Sequence, residues 1–189
     1  IYSSHKFLGG PTAGIVAGKS DLIQACYMQN IGLGRRMKVG KESVLGAMSA
    51  LKAWKKRDHE AIREIETNAL NLWQQSAIGF NGVQANIVGD PTNNPLSRLK
   101  VSINKYIFKS SAASVAQALS RCETPIIVRD HEIELGYFQL DPCNLADGHA
   151  EIVASNLHNV LKSASINPLS EVDLDEHRNS SIQGYLDWK

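Results

Sequence analysis

The sequence predicts an α/β chain in two parts: the end of a larger α/β domain over residues 1–80, then a small α+β domain over 81–165, with a polar tail over 166–189. Three observations carry this. A glycine turn, Gly9-Gly10-Pro11, feeds the apolar run Gly14-Ile15-Val16-Ala17, which reads as a short buried strand. Two stretches, 42–57 and 58–75, place apolar residues at helical spacing. Beyond Gly79 the texture changes to short strands interrupted by two helices, the pattern of a sheet with helices on one side.

In chain order, Ile1-Tyr2 reads as the last pair of a strand. The chain opens on Ile rather than Met, so it is expected to be the C-terminal portion of a longer subunit. Ser20 is the expected cap of a helix over 21–30, with Leu22, Ile23, Cys26 and Tyr27 as its apolar face. A glycine-punctuated basic loop follows over 31–41, carrying Arg35, Arg36, Lys38 and Lys41. Such a loop is usually a solvated surface; close in sequence to a phosphate-type site it becomes a candidate anion pocket. The helix over 42–57 turns Val44, Ala47, Met48, Leu51 and Trp54 inward. Its basic end, Lys52, Lys55, Lys56 and Arg57, suits the helix dipole and reads most simply as a solvated terminus, for which no partner is claimed. The helix over 58–75 turns Ile62, Ile65, Ala69, Leu72 and Trp73 inward and leaves His59 on the surface. Strands are expected over 83–88, 99–103, 125–129 and 133–140, with a loop at 90–95 and a turn at Asp130-His131. Helices are expected over 110–122 and 146–163, the latter with Ile152, Val153, Leu157, Val160 and Leu161 inward. The tail, with Asp173, Asp175 and Glu176 together, is expected to be loosely ordered or to drape over a neighbouring surface.

The 189 residues are 43% hydrophobic and 21% charged, with a formal net charge of +1. That balance argues against a nucleic-acid or anionic-membrane partner. No apolar run approaches bilayer length, and there is no signal-peptide pattern. Cys26, Cys122 and Cys143 are odd in number and lack metal-ligand spacing, which points to free thiols in the reducing cytoplasm. His131 and His149 have no partner at ligand spacing and read as solvent-facing.

Lys6 stands between the polar cluster Ser3-Ser4-His5 and the glycine turn. It is either a snorkelling surface residue or an amine placed for chemistry. Its company favours chemistry. Ser3, Ser4, His5 and Thr12 bring polar groups to both sides of the amine, and the glycines let backbone N–H groups approach a ligand closely. These are the parts needed to hold a phosphate-bearing aldehyde: an amine for the Schiff base, hydroxyls and amides for the phosphate. The nearby Gly14-Ile15-Val16-Ala17-Gly18-Lys19-Ser20 imitates a P-loop but has three residues between its glycines where four are needed.

The stretch Ser3-Ser4-His5-Lys6-Phe7-Leu8-Gly9-Gly10-Pro11-Thr12, running into Gly14-Ile15-Val16, resembles the lysine segment of the fold-type-I pyridoxal-phosphate enzymes. Within them it is similar to the selenocysteine-synthase-like branch, and in wording to the D-glucosaminate-6-phosphate ammonia-lyase group. The resemblance implies an aspartate aminotransferase-type fold, whose C-terminal part and small α+β domain this chain would supply. It implies pyridoxal 5'-phosphate as cofactor, held covalently by Lys6, with Ser3, Ser4 and His5 on its phosphate. Thr12 would reach the phosphate of a neighbouring subunit, in a homo-oligomer with its active site at the subunit interface. Residues gripping the cofactor ring would lie upstream, so the chain alone is not expected to catalyse.

The branch carries an Arg-x-x-Arg-Val-x-Lys pattern for an anionic substrate. Here Arg35, Val39 and Lys41 match it, Lys38 replaces the second arginine, and Arg36 is extra. Lysine cannot make the planar clamp of a guanidinium, a departure that fits a different anion such as a sugar phosphate. Arg129, in Ile126-Ile127-Val128-Arg129-Asp130, matches an arginine of the branch and is the candidate for the substrate carboxylate, with Arg98 second. Pairing of Arg129 with Asp130 or Glu132 on an exposed edge is the competing reading. Gly136–Pro142 resembles the strand-and-exit segment of the ammonia-lyase-like group, with Cys143 where a polar or basic residue is expected. The implied activity is a lyase reaction on a phosphorylated amino-sugar acid: water is eliminated across the α,β bond and hydrolysis of the enamine then releases ammonia, D-glucosaminate 6-phosphate giving 2-keto-3-deoxygluconate 6-phosphate. A selenium or sulfur transferase with the same cofactor, or a non-catalytic assembly domain, are the alternatives.

Overall fold

The computed structural model describes residues 1–92, 94–175 and 179. Asn93 in the expected loop, the side chain of Arg36, and the tail positions 176–178 and 180–189, Glu176 included, lie outside the described residues. By its contacts the chain forms two units, Ile1–His59 and Glu60–Lys189.

The first unit opens on a hairpin. β1 (Tyr2–Ser3) pairs antiparallel with β2 (Gly14–Ile15), Tyr2 opposite Ile15 and Ser3 opposite Gly14. The buried strand expected over 14–17 is therefore shorter and open, with Val16 47% exposed. α1 (Ser20–Met28) follows; Ser20 is its first helical residue and Lys19 its N-cap, so the serine does not cap it. None of its residues is buried, and the expected apolar face at Leu22 and Tyr27 is open. The basic loop contains a 3-10 turn, Leu33–Met37.

α2 (Lys41–Trp54) buries Ala47 and Ala50, while Val44, Met48 and Leu51 are exposed. The expected face was set by the large apolar side chains. The occupied face is instead a stripe of small ones, because the backbone of the hairpin lies close against it.

In the second unit α3 (His59–Ser76) buries Ala69, Leu70 and Trp73, whereas Ile65 and Leu72 are exposed. The sequence groups this helix with the first part of the chain; in the structure these three side chains belong to the core of the second unit. β3 (Val83–Gly89), β4 (Ser97–Ile103) and β5 (Tyr137–Leu140) form an antiparallel sheet in that order. Val101 lies opposite Ala85 and Phe138, and Leu99 opposite Ile87 and Leu140. The strict alternation of β4 sends Leu99, Val101 and Ile103 into the core and Lys100 and Ser102 to the other face. α4 (Lys105–Phe108) is capped by Asn104 and α5 (Ala112–Ser120) by Ser111, whose oxygens accept from the backbone N–H of Tyr106 and Ser114. α6 (His149–Ile166) completes the helical layer. Trp73, Leu119, Leu157, Leu161 and Phe138 share one core with β4. Each such leucine or phenylalanine contributes roughly 1.5–3 kcal/mol when fully buried.

Two expected strands are corrected. Residues 125–129 form no strand; Arg129 makes a single bridge to Gln139, with both backbone bonds at 2.9 Å. The stretch 133–140 splits into a 3-10 turn, Ile133–Leu135, and β5, because Gly136 takes a left-handed conformation (φ +80°) between them. After α6, Leu169, Val172 and Leu174 pack against the core, Ser110 Oγ accepts from the Leu169 N–H, and Ser114 Oγ donates to the Ser170 carbonyl.

Candidate active site

The loop bearing Lys6 is built by backbone bonds. The N–H of Ser4 donates to the Ala13 carbonyl at 2.9 Å, and that of Gly10 to the Ser4 carbonyl at 2.8 Å. A tighter turn closes inside, where the Gly9 N–H donates to the Lys6 carbonyl at 3.0 Å and Gly9 adopts φ +70°. Ser3, His5, Lys6 and Thr12 are exposed on this hairpin. Ser4 is different. It is fully buried, and among the described residues its Oγ has no hydrogen-bond partner.

The hairpin rests on the small-residue stripe of α2. A Cβ placed on Gly46 would come within 2.9 Å of the Pro11 ring, and one on Gly10 within 3.1 Å of Ala50 Cβ and 2.3 Å of Ser4 Oγ. The end of α2 also closes on the loop. Arg57 Nη1 donates to the Phe7 carbonyl at 3.1 Å, and its guanidinium lies 5.5 Å from the Trp54 ring centre. Arg57, in the basic end expected to be solvated, thus also bonds the loop. His59 is half-buried, not on the surface; its ring lies 4.5 Å from that of Trp54, and Nε2 is 3.0 Å from the Trp54 carbonyl. A carbonyl only accepts, so Nε2 carries the proton.

The structure thus brings Ser3, Ser4, His5, Lys6 and Thr12 onto one loop. Arg35 lies in the 3-10 turn and Lys38 just beyond it, both exposed. No hydrogen bond or ion pair among the described residues joins them to the hairpin. Arg129 is an exposed residue of the second unit. His131 and His149 are exposed, as expected.

Arg98 is committed elsewhere. It is 8% exposed, with Nη1 2.6 Å from Asp90 Oδ1 and Nε 2.9 Å from Asp141 Oδ2. Asp90 also receives bonds from Thr92 and Asn94, which fold the loop after β3. Hydrogen bonds from Thr92, then from Arg98, hold the Asp90 carboxyl well below the usual carboxylate range. Burial alone would raise Asp141, but bonds from Cys143 and Arg98 outweigh it and lower its pKa. Burial first, then the carboxylates of Asp141 and Glu66, push the Cys143 thiol well above the usual thiol range. This network is not visible in the sequence, since Asp90 is brought to Arg98 by the β3–β4 pairing and Asp141 by the β4–β5 pairing.

No protein-family model matches the chain. It is 28% identical over 165 residues to the D-glucosaminate-6-phosphate ammonia lyase of Salmonella typhimurium, covering 87% of this chain and 44% of that protein. The solved structure titled "Structure of D-Glucosaminate-6-phosphate Ammonia-lyase" superposes with a TM-score of 0.62 at 25% identity, over 84% of this chain and 42% of that one. The chain is homologous to the fold-type-I pyridoxal-phosphate enzymes. Its α/β architecture of helices with two small antiparallel sheets is consistent with a fold-type-I domain followed by a small α+β region. It is also 31% identical over 166 residues to the 5'-C-glycyluridine monooxygenase-decarboxylase of Streptomyces sp, covering 85% of this chain and 40% of that protein. More weakly, it matches L-seryl-tRNA(Sec) selenium transferases such as that of Moorella thermoacetica. The chain therefore spans about two-fifths of the length of the glycyluridine enzyme and of the ammonia lyase. No helix among the described residues is long and apolar enough to cross a membrane.

Proposed function

We propose that this chain supplies the cofactor lysine and the small domain of a pyridoxal-phosphate-dependent ammonia-lyase acting on a phosphorylated amino-sugar acid, with D-glucosaminate 6-phosphate as substrate. The observation that carries the reading is the Lys6 hairpin, which gathers Lys6, Ser3, Ser4, His5 and Thr12 on one loop in a chain similar to that enzyme. The donor set fits the cofactor: an exposed amine, exposed polar groups from Ser3, His5 and Thr12, and a buried Ser4 hydroxyl with no hydrogen-bond partner among the described residues. Pyridoxal phosphate, when bound, supplies an electrophilic carbon and a ring that takes up electron density.

Lys6 would hold the cofactor and, once freed, take the α proton of the substrate. Ser3, Ser4 and His5 would anchor the cofactor phosphate, and Thr12 would serve a neighbouring subunit of a homo-oligomer. Arg35 and Lys38 would bind the substrate phosphate, and Arg129 its carboxylate. The β-hydroxyl would leave as water with the proton that Lys6 had taken, and hydrolysis of the freed enamine would release ammonia and the 2-keto acid. Absence of a membrane-crossing helix among the described residues agrees with a cytoplasmic setting.

Borohydride reduction of the full protein carrying this chain, followed by peptide mapping, tests the central residue. The adduct is expected on Lys6; an adduct on another lysine overturns the reading. Lys6→Ala is expected to lower ammonia release by on the order of 10²-fold or more. Release should require the phosphorylated sugar acid; equal rates with the unphosphorylated one remove the role given to Arg35 and Lys38. The 31% identity to the glycyluridine enzyme favours a second reading, in which the substrate is a nucleoside-linked amino acid. Oxygen-dependent carbon dioxide release from glycyluridine, with no ammonia from amino-sugar acids, would select it.

A further inference from the structure

We infer that Arg57 is a positioning residue for Lys6, clamping the lysine loop through a backbone carbonyl. The inference rests on the reading of Lys6 as the reactive amine. Three observations within the first unit carry it.

First, the bond is placed next to the lysine. Arg57 Nη1 donates to the carbonyl of Phe7, at 3.1 Å and across 50 residues of sequence. It fixes the Phe7–Leu8 peptide plane, one beyond the plane that directly follows Lys6, while the Gly9 N–H fixes the carbonyl of Lys6 itself at 3.0 Å. Lys6 therefore has a tied backbone and a free, exposed side chain.

Second, Arg57 is itself held. Its guanidinium lies 5.5 Å from the centre of the Trp54 ring, and His59 supports that ring from 4.5 Å while its Nε2–H donates to the Trp54 carbonyl. A planar cation set against an aromatic ring has few rotamers to lose when it bonds. Third, the loop cannot drift towards α2, because Pro11 and Gly10 already touch Gly46 and Ala50. The small-residue stripe sets the height of the loop, and Arg57 sets its rotation. A 1 Å error in placing a reacting group costs on the order of 10²-fold in rate, so such a clamp has kinetic consequences without touching the substrate.

The test uses the full protein with Arg57→Met, which keeps length and removes the donor, and Arg57→Lys, which restores a donor and a charge. Two readouts are independent of turnover: hydrogen exchange of the Gly9 and Gly10 amides in cofactor-free protein, and the pH profile of Lys6 acylation by acetic anhydride. R57M is expected to speed exchange at Gly9 and Gly10 and to alter the Lys6 profile. It is expected to lower kcat for ammonia release about 10- to 100-fold with little change in KM. R57K is expected to recover part of each loss. Wild-type exchange and acylation in folded R57M overturn the proposal. Should R57M fail to fold, Arg57→Gln is judged by the same two readouts and overturns it in the same way. If Lys6→Arg proves fully active, the reactive-lysine reading fails while the exchange result still judges the clamp.

Discussion

At Gly10 even a methyl group has nowhere to go. The added Cβ would meet Ser4 Oγ at 2.3 Å and Ala50 Cβ at 3.1 Å. Gly10→Ala is expected to destabilise the protein by about 1–3 kcal/mol, the usual cost of overpacking. Ser4→Ala alone removes a buried hydroxyl that has no partner among the described residues and is expected to be neutral or stabilising by about 1 kcal/mol without cofactor. Combined, the serine change should rescue part of the glycine change, and urea titration of the double-mutant cycle measures the coupling. No rescue means that the Ser4 carbonyl at 3.0 Å and Ala50 Cβ, not the Ser4 hydroxyl, set the limit. At this scale Lys6 and its polar neighbours are legible in the sequence because they are contiguous. Arg57 is not, since its partner is a main-chain carbonyl 50 residues away, which leaves no mark in residue type.

At the scale of elements, legibility follows periodicity. The stripe of α6 names Val153, Leu157 and Leu161 correctly, whereas Ile152, also expected inward, is exposed. α2 misleads because its contact face is alanine and glycine, and hydrophobic patterning gives most weight to large side chains. The strands around 125–140 mislead because one glycine and one isolated bridge decide where pairing starts. The end of the sheet carries a testable electrostatic device. Asp90 and Asp141 have lowered folded pKa values, so their contribution is complete above the unfolded carboxylate value of about 3.9 and is lost as pH falls through the folded values. Stability should be level from neutral pH to about 5 and fall below about 4. Arg98→Met should cost about 2 kcal/mol at neutral pH and flatten that acid fall. The figure lies below that of a sealed pair because the Asp141 side chain is 26% exposed. An unchanged acid limb in R98M would refute the assignment.

At the scale of the molecule, the sheet-and-helix layout of the second unit follows from its sequence, but the partition of the chain does not. α3 reads as a continuation of α2, yet Trp73 donates its indole N–H to the Ala150 carbonyl and sits in the core of the second unit. That contact spans 77 residues, beyond the reach of any local pattern. The same long-range assembly gives the three cysteines unequal chemistry. Cys26 is exposed on α1, while Cys143 sits half-buried beyond β5, its proton retained by burial and by neighbouring carboxylates. Only a thiolate is alkylated. With iodoacetamide at mildly alkaline pH, Cys26 should be modified promptly and Cys143 only when the end of β5 opens; equal rates at the two would contradict the structure. The Cys143 thiol then serves as a chemical clock inside the second unit, timing how often the Arg98 network comes apart while the rest of the protein stays folded.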